Sequence, residues 1–210
     1  MSIRTIIASA AIALVGLAHG ASAENLYGYV LANRTLVEPH YTYSFGDTTP
    51  VNADGNGITL GFGKALTPVV AIEGDVSFGD YSSDRIVGGT TPCITPGEGC
   101  TLQADWLATL RVTARTEMGK WSPYVTAGLA AGHIKGSADT GACGGGDCGY
   151  SKTQGGFALG LGTDYALSDR IALRAELMQI LLKSPDFSAS SVTSGGYAFG
   201  QLRIGMKYSF

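Results

Sequence analysis

This chain is short of charge, of histidine and of long apolar runs. Charged residues make up 15% of its 210 positions, and the formal net charge is −3. A water-soluble domain usually carries about 25% charged residues, so the ordinary polar shell of a globular protein is missing. The acidic balance excludes a nucleic-acid-binding face. There are three histidines, and one of them, His19, falls in the leader described below. Past that leader, no stretch reaches the 18 or so consecutive apolar residues of a membrane-crossing helix.

Motifs that carry chemistry are equally scarce. Cys143 with Cys148, and Cys93 with Cys100, miss the C-x2–4-C spacing of a metal site. Gly144-Gly145-Gly146 is not followed by the Lys-Ser/Thr pair of a phosphate loop and reads as a flexible loop tip. His40 and His133 have Ser44 and Ser137 nearby, but neither pair has a spacing specific to nucleophilic catalysis. No catalytic residue, cofactor or metal is therefore expected, and the chain reads as a non-enzyme.

The beginning of the chain carries a secretory pattern. Arg4 is followed by a small and apolar run from Thr5 to Leu17, and then by the cleavage signal Ala21-Ser22-Ala23. Residues 1–23 are expected to be a removed signal peptide with cleavage after Ala23. That leaves 24–210 as one domain with 13 basic and 17 acidic residues.

What fills that domain is alternation with period two, the signature of strands with unlike faces. From Thr101 to Glu117, Leu102, Ala104, Trp106, Ala108, Leu110, Val112 and Ala114 alternate with Gln103, Asp105, Thr109, Arg111, Thr113 and Arg115. At the end of the chain, Gly200, Leu202, Ile204, Met206, Tyr208 and Phe210 alternate with Gln201, Arg203 and Lys207. Comparable runs centre on Ile58–Leu66, Val70–Phe78, Val125–Ala131, Phe157–Tyr165 and Ile171–Leu181. The first run, Leu26–Phe45, is longer than the ~9–11 residues that cross a bilayer. Either it projects beyond the membrane, or a bulge near Pro39 interrupts it. There Tyr27, Tyr29 and Leu31 share a parity with Tyr41, Tyr43 and Phe45. Counted over all eight strands away from the loop ends, the apolar face carries a single charge, Lys64.

The fold class is therefore all-β: an eight-stranded antiparallel up-and-down transmembrane β-barrel. A sheet in hydrocarbon cannot leave its edges unpaired and must close. Three tight turns, at Thr67-Pro68, Glu117–Lys120 and Ser168-Asp169, should lie at the periplasmic end. Four long connections should face outside: Gly46–Asn56, Asp80–Cys100, Gly136–Gly149 and Ser184–Gly195. The inward face would hold Glu73, Asp75, Asp105, Asp164 and Glu176 with Arg111, Arg115, Arg174, Arg203 and Lys207. An eight-stranded barrel has room for side chains only, and buried charges must pair, so these ten are expected to form an ionic plug. Behind a secretory leader, Cys93, Cys100, Cys143 and Cys148 read as disulfides whose connectivity stays open among three arrangements.

The leader, the eight alternating strands, the Gly-rich Gly156–Gly162 and the terminal Gly200–Phe210 resemble the small outer-membrane barrels of proteobacteria, the family of the OmpA transmembrane domain, OmpX and the opacity-type surface antigens. Met206-Lys207-Tyr208-Ser209-Phe210 looks like the C-terminal signal that the barrel-assembly machinery reads, with Tyr208 and Phe210 as its aromatic residues. The resemblance implies a Gram-negative outer-membrane location, contact with outer-membrane lipid and lipopolysaccharide, and a surface ligand on the loops. The expected role is structural and interactive: membrane integrity, adhesion or surface antigen. A narrow channel for ions or small solutes is the alternative, and a soluble lipocalin-like carrier with reversed faces is a third.

Overall fold

The computed structural model describes residues 25–42, 53–83, 100–138, 148–183 and 193–210. The segment 1–23, with its expected cleavage at Ala23, lies outside them, as do Ser44, Cys93 and Cys143. Eight strands follow one another: β1 Leu26–Thr42, β2 Ala53–Ala65, β3 Val70–Ser83, β4 Cys100–Arg115, β5 Trp121–Ala138, β6 Cys148–Ala166, β7 Ile171–Leu182 and β8 Thr193–Ser209. Each pairs antiparallel with the next, and β8 returns to β1, so the sheet is a closed barrel.

The register fixes the barrel's dimensions. Partners followed around the sheet run Leu26, Lys64, Ile72, Val112, Ala127, Leu159, Gln179, Gly200, and arrive back on β1 at Leu36, ten residues from the start. Eight strands with a stagger of ten, at ~3.3 Å per residue and ~4.8 Å between strands, give a tilt of about 40° and a backbone radius of about 8 Å. Side chains fill such an interior.

Alternation sorts the faces as expected. Leu110, Val112, Val125, Leu129, Leu159, Leu161, Leu177, Leu202 and Ile204 are exposed on the outer surface, whereas Arg111, Glu176 and Arg203 are buried inside. Short turns close one end. The Thr67 hydroxyl accepts the Val69 and Val70 amides, and the Ser168 hydroxyl accepts those of Arg170 and Ile171. These side-chain turns satisfy backbone groups that the ladder leaves over. Between β4 and β5, Met118 and Trp121 bridge across Gly119, whose φ of 65° suits a residue without a side chain. Trp121 with Tyr165, and Tyr208 with Phe210, form aromatic pairs at this end, 4.7 and 5.4 Å between centroids. The Phe210 amide donates to the Leu26 carbonyl, bringing the two ends of the described barrel together.

Three details differ from the sequence reading. First, β1 carries a charge outward: Tyr27, Tyr29 and Leu31 are buried in the interior, and Arg34 and Leu36 face out. Lys64 is therefore joined by Arg34 on the outer face. A buried phenol needs an acceptor, and the inward carboxylates supply it. The β1–β8 register also shifts between Pro39 and Tyr41, so β1 is bulged as well as long. Second, strands run into segments expected to be loops, because ladder pairing satisfies the backbone wherever two chains run together; β5 and β6 stay paired as far as Ala138 and Cys148. Third, the register of β4 shifts between Ala104 and Trp106 against β5. Ala104 is buried in the interior although it shares a parity with outward Leu110 and Val112. A bulge of this kind reverses parity beyond it.

Candidate functional site

The interior is layered along the barrel axis. Nearest the short-turn end lies an ionic layer. Arg111 on β4 donates to Glu176 on β7 and to Asp75 on β3, each at 2.7 Å, and to Glu73 at 3.2 Å. Arg174 reaches Asp164 at 2.7 Å and Glu73 at 3.0 Å. Arg203 bridges Glu176 at 3.2 Å and Asp75 at 3.3 Å, and Lys207 meets Asp164 at 2.6 Å. Four carboxylates thus face four cations across β3, β4, β6, β7 and β8. Charge-assisted bonds of this length are the strong kind, and one-for-one balance is what a low-dielectric interior requires.

Tyrosines complete the layer. The Tyr27 hydroxyl donates to Glu73 at 2.6 Å, Tyr29 to Asp75 at 3.1 Å and Tyr124 to Glu176 at 3.2 Å. The Arg174 guanidinium lies 4.7 Å from the Tyr29 ring centre and 4.9 Å from that of Tyr124, and Lys207 Nζ sits 4.4 Å over Tyr27. These distances are in cation–π range. Two glycines make room: a Cβ on Gly61 would stand 2.2 Å from the Tyr29 ring, and one on Gly63 2.3 Å from that of Tyr27.

Further toward the loop end, neutral polar groups take over. Asn33 donates to Thr59 at 3.0 Å, Thr59 and Ser77 share a bond of 2.8 Å, and Gln201 donates to Thr35 at 2.8 Å. Gln201 Oε1 in turn accepts from Arg203 Nε at 2.8 Å. On the opposite wall, Tyr81, Leu107, Ile134, Met178, Ile180, Leu182 and Phe199 form one buried apolar cluster.

Eight of the ten expected network residues meet in the ionic layer. Two do not. Asp105 is carried to the outer surface by the β4 bulge, where it pairs with Lys135 at 2.7 Å and lies 3.8 Å from His133. Arg115 sits at the short-turn rim, half-exposed, and donates to the Pro68 carbonyl at 3.1 Å. Tyr27, Tyr29 and Tyr124, which are not among the ten expected residues, lie in this layer as well. The signal for the β1 pair was their hydroxyls together with the alternate series Val30, Ala32 and Leu36, apolar but for Arg34.

Around His133 the geometry is not that of a triad. Ser151 Oγ is 3.0 Å from Nε2 and Asp105 approaches that same nitrogen, while Nδ1 faces Thr153 at 3.3 Å. A triad needs base and orienting acid on opposite ring nitrogens. The Trp106 ring stacks on His133 at 6.4 Å and 17°. Among the described residues, no three His, Cys, Asp or Glu side chains converge as metal ligands. Cys100 and Cys148 begin β4 and β6, each registered to Ala138, and the disulfide expectation for the four cysteines otherwise lies outside the described residues.

Comparison with known proteins agrees with this architecture. The chain is 27% identical over 176 residues to a 22 kDa outer membrane protein of Rhizobium leguminosarum bv. viciae, covering 80% of this chain and 74% of that one. Its fold is similar to that of Neisserial surface protein A, with a TM-score of 0.51 and 18% identity, covering 91% of this chain and all of that one. It is also similar to OprG from Pseudomonas aeruginosa, with a TM-score of 0.50 and 11% identity, covering 89% and 96%. The family profile for the outer membrane protein beta-barrel domain matches residues 7–210, and with apolar side chains outward, ions inward and closed edges, the chain belongs to that family.

Proposed function

We propose that this outer-membrane barrel is a structural and display protein, not a conduit. Its interior is closed, and its role is display toward partners outside the cell. The observation that carries the reading is the filled interior: a charge-balanced ionic layer backed by a polar layer and an apolar cluster. A hydrated passage would have to break several buried ion pairs at once, and removing one partner of such a pair costs about 3–5 kcal/mol. The role involves no catalytic step and no cofactor. Its partners are outer-membrane lipid and lipopolysaccharide, the barrel-assembly machinery acting on the end of the chain at Tyr208 and Phe210, and a surface ligand on the loops.

Planar-bilayer recording tests it. Purified full-length protein is expected to give no steady conductance, and Arg111→Ala is expected to introduce one. A large, stable conductance from the wild type would establish the channel reading instead.

A further inference from the structure

Three buried polar atoms of the ionic layer and its neighbour Thr109 take no hydrogen bond from any described residue: Asp75 Oδ1, Thr109 Oγ1 and Arg111 Nε. They are not scattered. Asp75 and Thr109 are register partners across β3 and β4, and both are buried in the interior. Arg111 stands two residues further along β4 on the same face. Its Nη2 donates to Asp75 Oδ2 at 2.7 Å. Nε–H lies on the same edge of the planar guanidinium as Nη2, so it too is aimed toward Asp75. The bonds that described residues make to this carboxylate all fall on one oxygen. Tyr29 at 3.1 Å, Arg111 at 2.7 Å and Arg203 at 3.3 Å reach Oδ2, and Oδ1 is left over. Buried polar atoms are nearly always paired, so three orphans at one place call for a common partner.

The neighbouring strand leaves room for one. Across β4 and β5, Arg111 is registered to Gly128 and Thr109 to Ala130, so no large side chain enters from β5 at this height. The three atoms also select the guest. Asp75 Oδ1 accepts, Arg111 Nε donates, and the Thr109 hydroxyl does either. An anion would face the carboxylate, and a cation would face the guanidinium. Four carboxylates already balance four cations in this layer, so no further ion is needed. What fits is a small neutral molecule that donates and accepts at once.

We infer that Asp75, Thr109 and Arg111 form a binding site for one water molecule, held as a fixed part of the ionic layer. It accepts from Arg111 Nε–H, donates to Asp75 Oδ1 and makes its third bond with Thr109 Oγ1. Two to four polar partners are what a buried water holds. Thr109, which takes part in no ion pair, is thereby a positioning residue: through the water it fixes the free edge of the Arg111 guanidinium and the free oxygen of Asp75. The inference rests on the closed interior proposed above, since a hydrated passage would exchange its water freely at every lumenal arginine.

Magnetic cross-relaxation between water and the arginine Nε–H groups tests it, on full-length, isotope-labelled protein in bicelles of deuterated lipid. Two other buried arginines are the controls, because Arg174 Nε donates to Asp164 at 2.7 Å and Arg203 Nε to Gln201 at 2.8 Å. Arg111 Nε–H should show a cross-peak at the water frequency with the sign of a long-lived complex, and Arg174 and Arg203 should show none. Thr109→Val keeps the side-chain shape and removes the hydroxyl. It should weaken the Arg111 cross-peak about threefold to tenfold, the scale of one hydrogen bond. Ala130→Leu fills the space and should abolish the cross-peak. Heat-modifiable mobility on gels reports that each variant is folded, and Thr109→Val decides alone should Ala130→Leu not fold. No water cross-peak at Arg111, an unchanged one in Thr109→Val, or equal ones at all three arginines would overturn the site. Bilayer recording separates the two readings: if the lumen is silent, only the bound water falls, and if conductance accompanies equal cross-peaks, the closed interior falls with it.

Discussion

Replacing Arg111 by methionine tests the ionic layer at its most connected point. Arg111 touches Glu73, Asp75 and Glu176 at 3.2, 2.7 and 2.7 Å, and all four side chains are fully buried. Methionine keeps most of the stem's volume, so the change is chiefly electrical. Four carboxylates then face three cations, and one negative charge is stranded where water does not reach. Breaking a buried pair this way costs about 3–5 kcal/mol, a shift of roughly two to four decades in the folding equilibrium. Adding Glu176→Gln restores the balance, and most of that loss should return; Arg203 would still hold Asp75. The assay is urea-induced unfolding in lipid vesicles, followed by tryptophan fluorescence and gel mobility. A single-variant cost below about 1 kcal/mol, the value of an exposed pair, would refute the reasoning, as would a double variant no better than the single one.

Other perturbations follow from the same geometry. Leu110→Arg puts a charge near the middle of the apolar band and should cost about 2–4 kcal/mol in vesicle unfolding, whereas Lys64→Leu should not destabilise. Gly61→Val meets the Tyr29 ring and should cost about 1–3 kcal/mol by overpacking, measured as a lowered urea midpoint. Tyr29→Phe removes a hydrogen bond to Asp75 and one accepted from Arg111, and should cost about 1–3 kcal/mol in the same titration. Asp105→Asn breaks only a half-exposed outer pair and should change stability by about 1 kcal/mol or less, with silent bilayer recordings as in the wild type.

Much of this architecture is legible in the residues because period two is a strong constraint. One misplaced charge in hydrocarbon is expensive, so β4, β7 and β8 declare their faces, and eight lumenal charges can be named from parity alone. What escapes the alternation is where parity changes. A bulge adds one residue and reverses every side chain beyond it, which is how Asp105 leaves the lumen and Ala104 enters it. No local residue in β4 announces that bulge. β1 misleads for another reason: tyrosine belongs both at a membrane interface and in a polar interior, and only the acceptors on β3 decide between the two for Tyr27 and Tyr29. Arg115 has the right parity but is the last residue of β4, one step past its pairing with β3, where a turn carbonyl replaces a carboxylate. The apolar cluster around Phe199 and Ile180 is hidden because apolar residues on both faces of a strand carry no parity signal.

The central claim is the sorting of faces, and paramagnetic broadening tests it on the native sequence. With methyl-labelled protein in bicelles containing doxyl-labelled lipid, the methyl signals of Leu110, Val112, Leu129, Leu161 and Leu202 should broaden strongly. Those of Leu31, Leu107, Ile134 and Ile180, all buried in the interior, should persist. Strong broadening of Leu107 and Ile180 with Leu110 and Val112 spared would contradict the account.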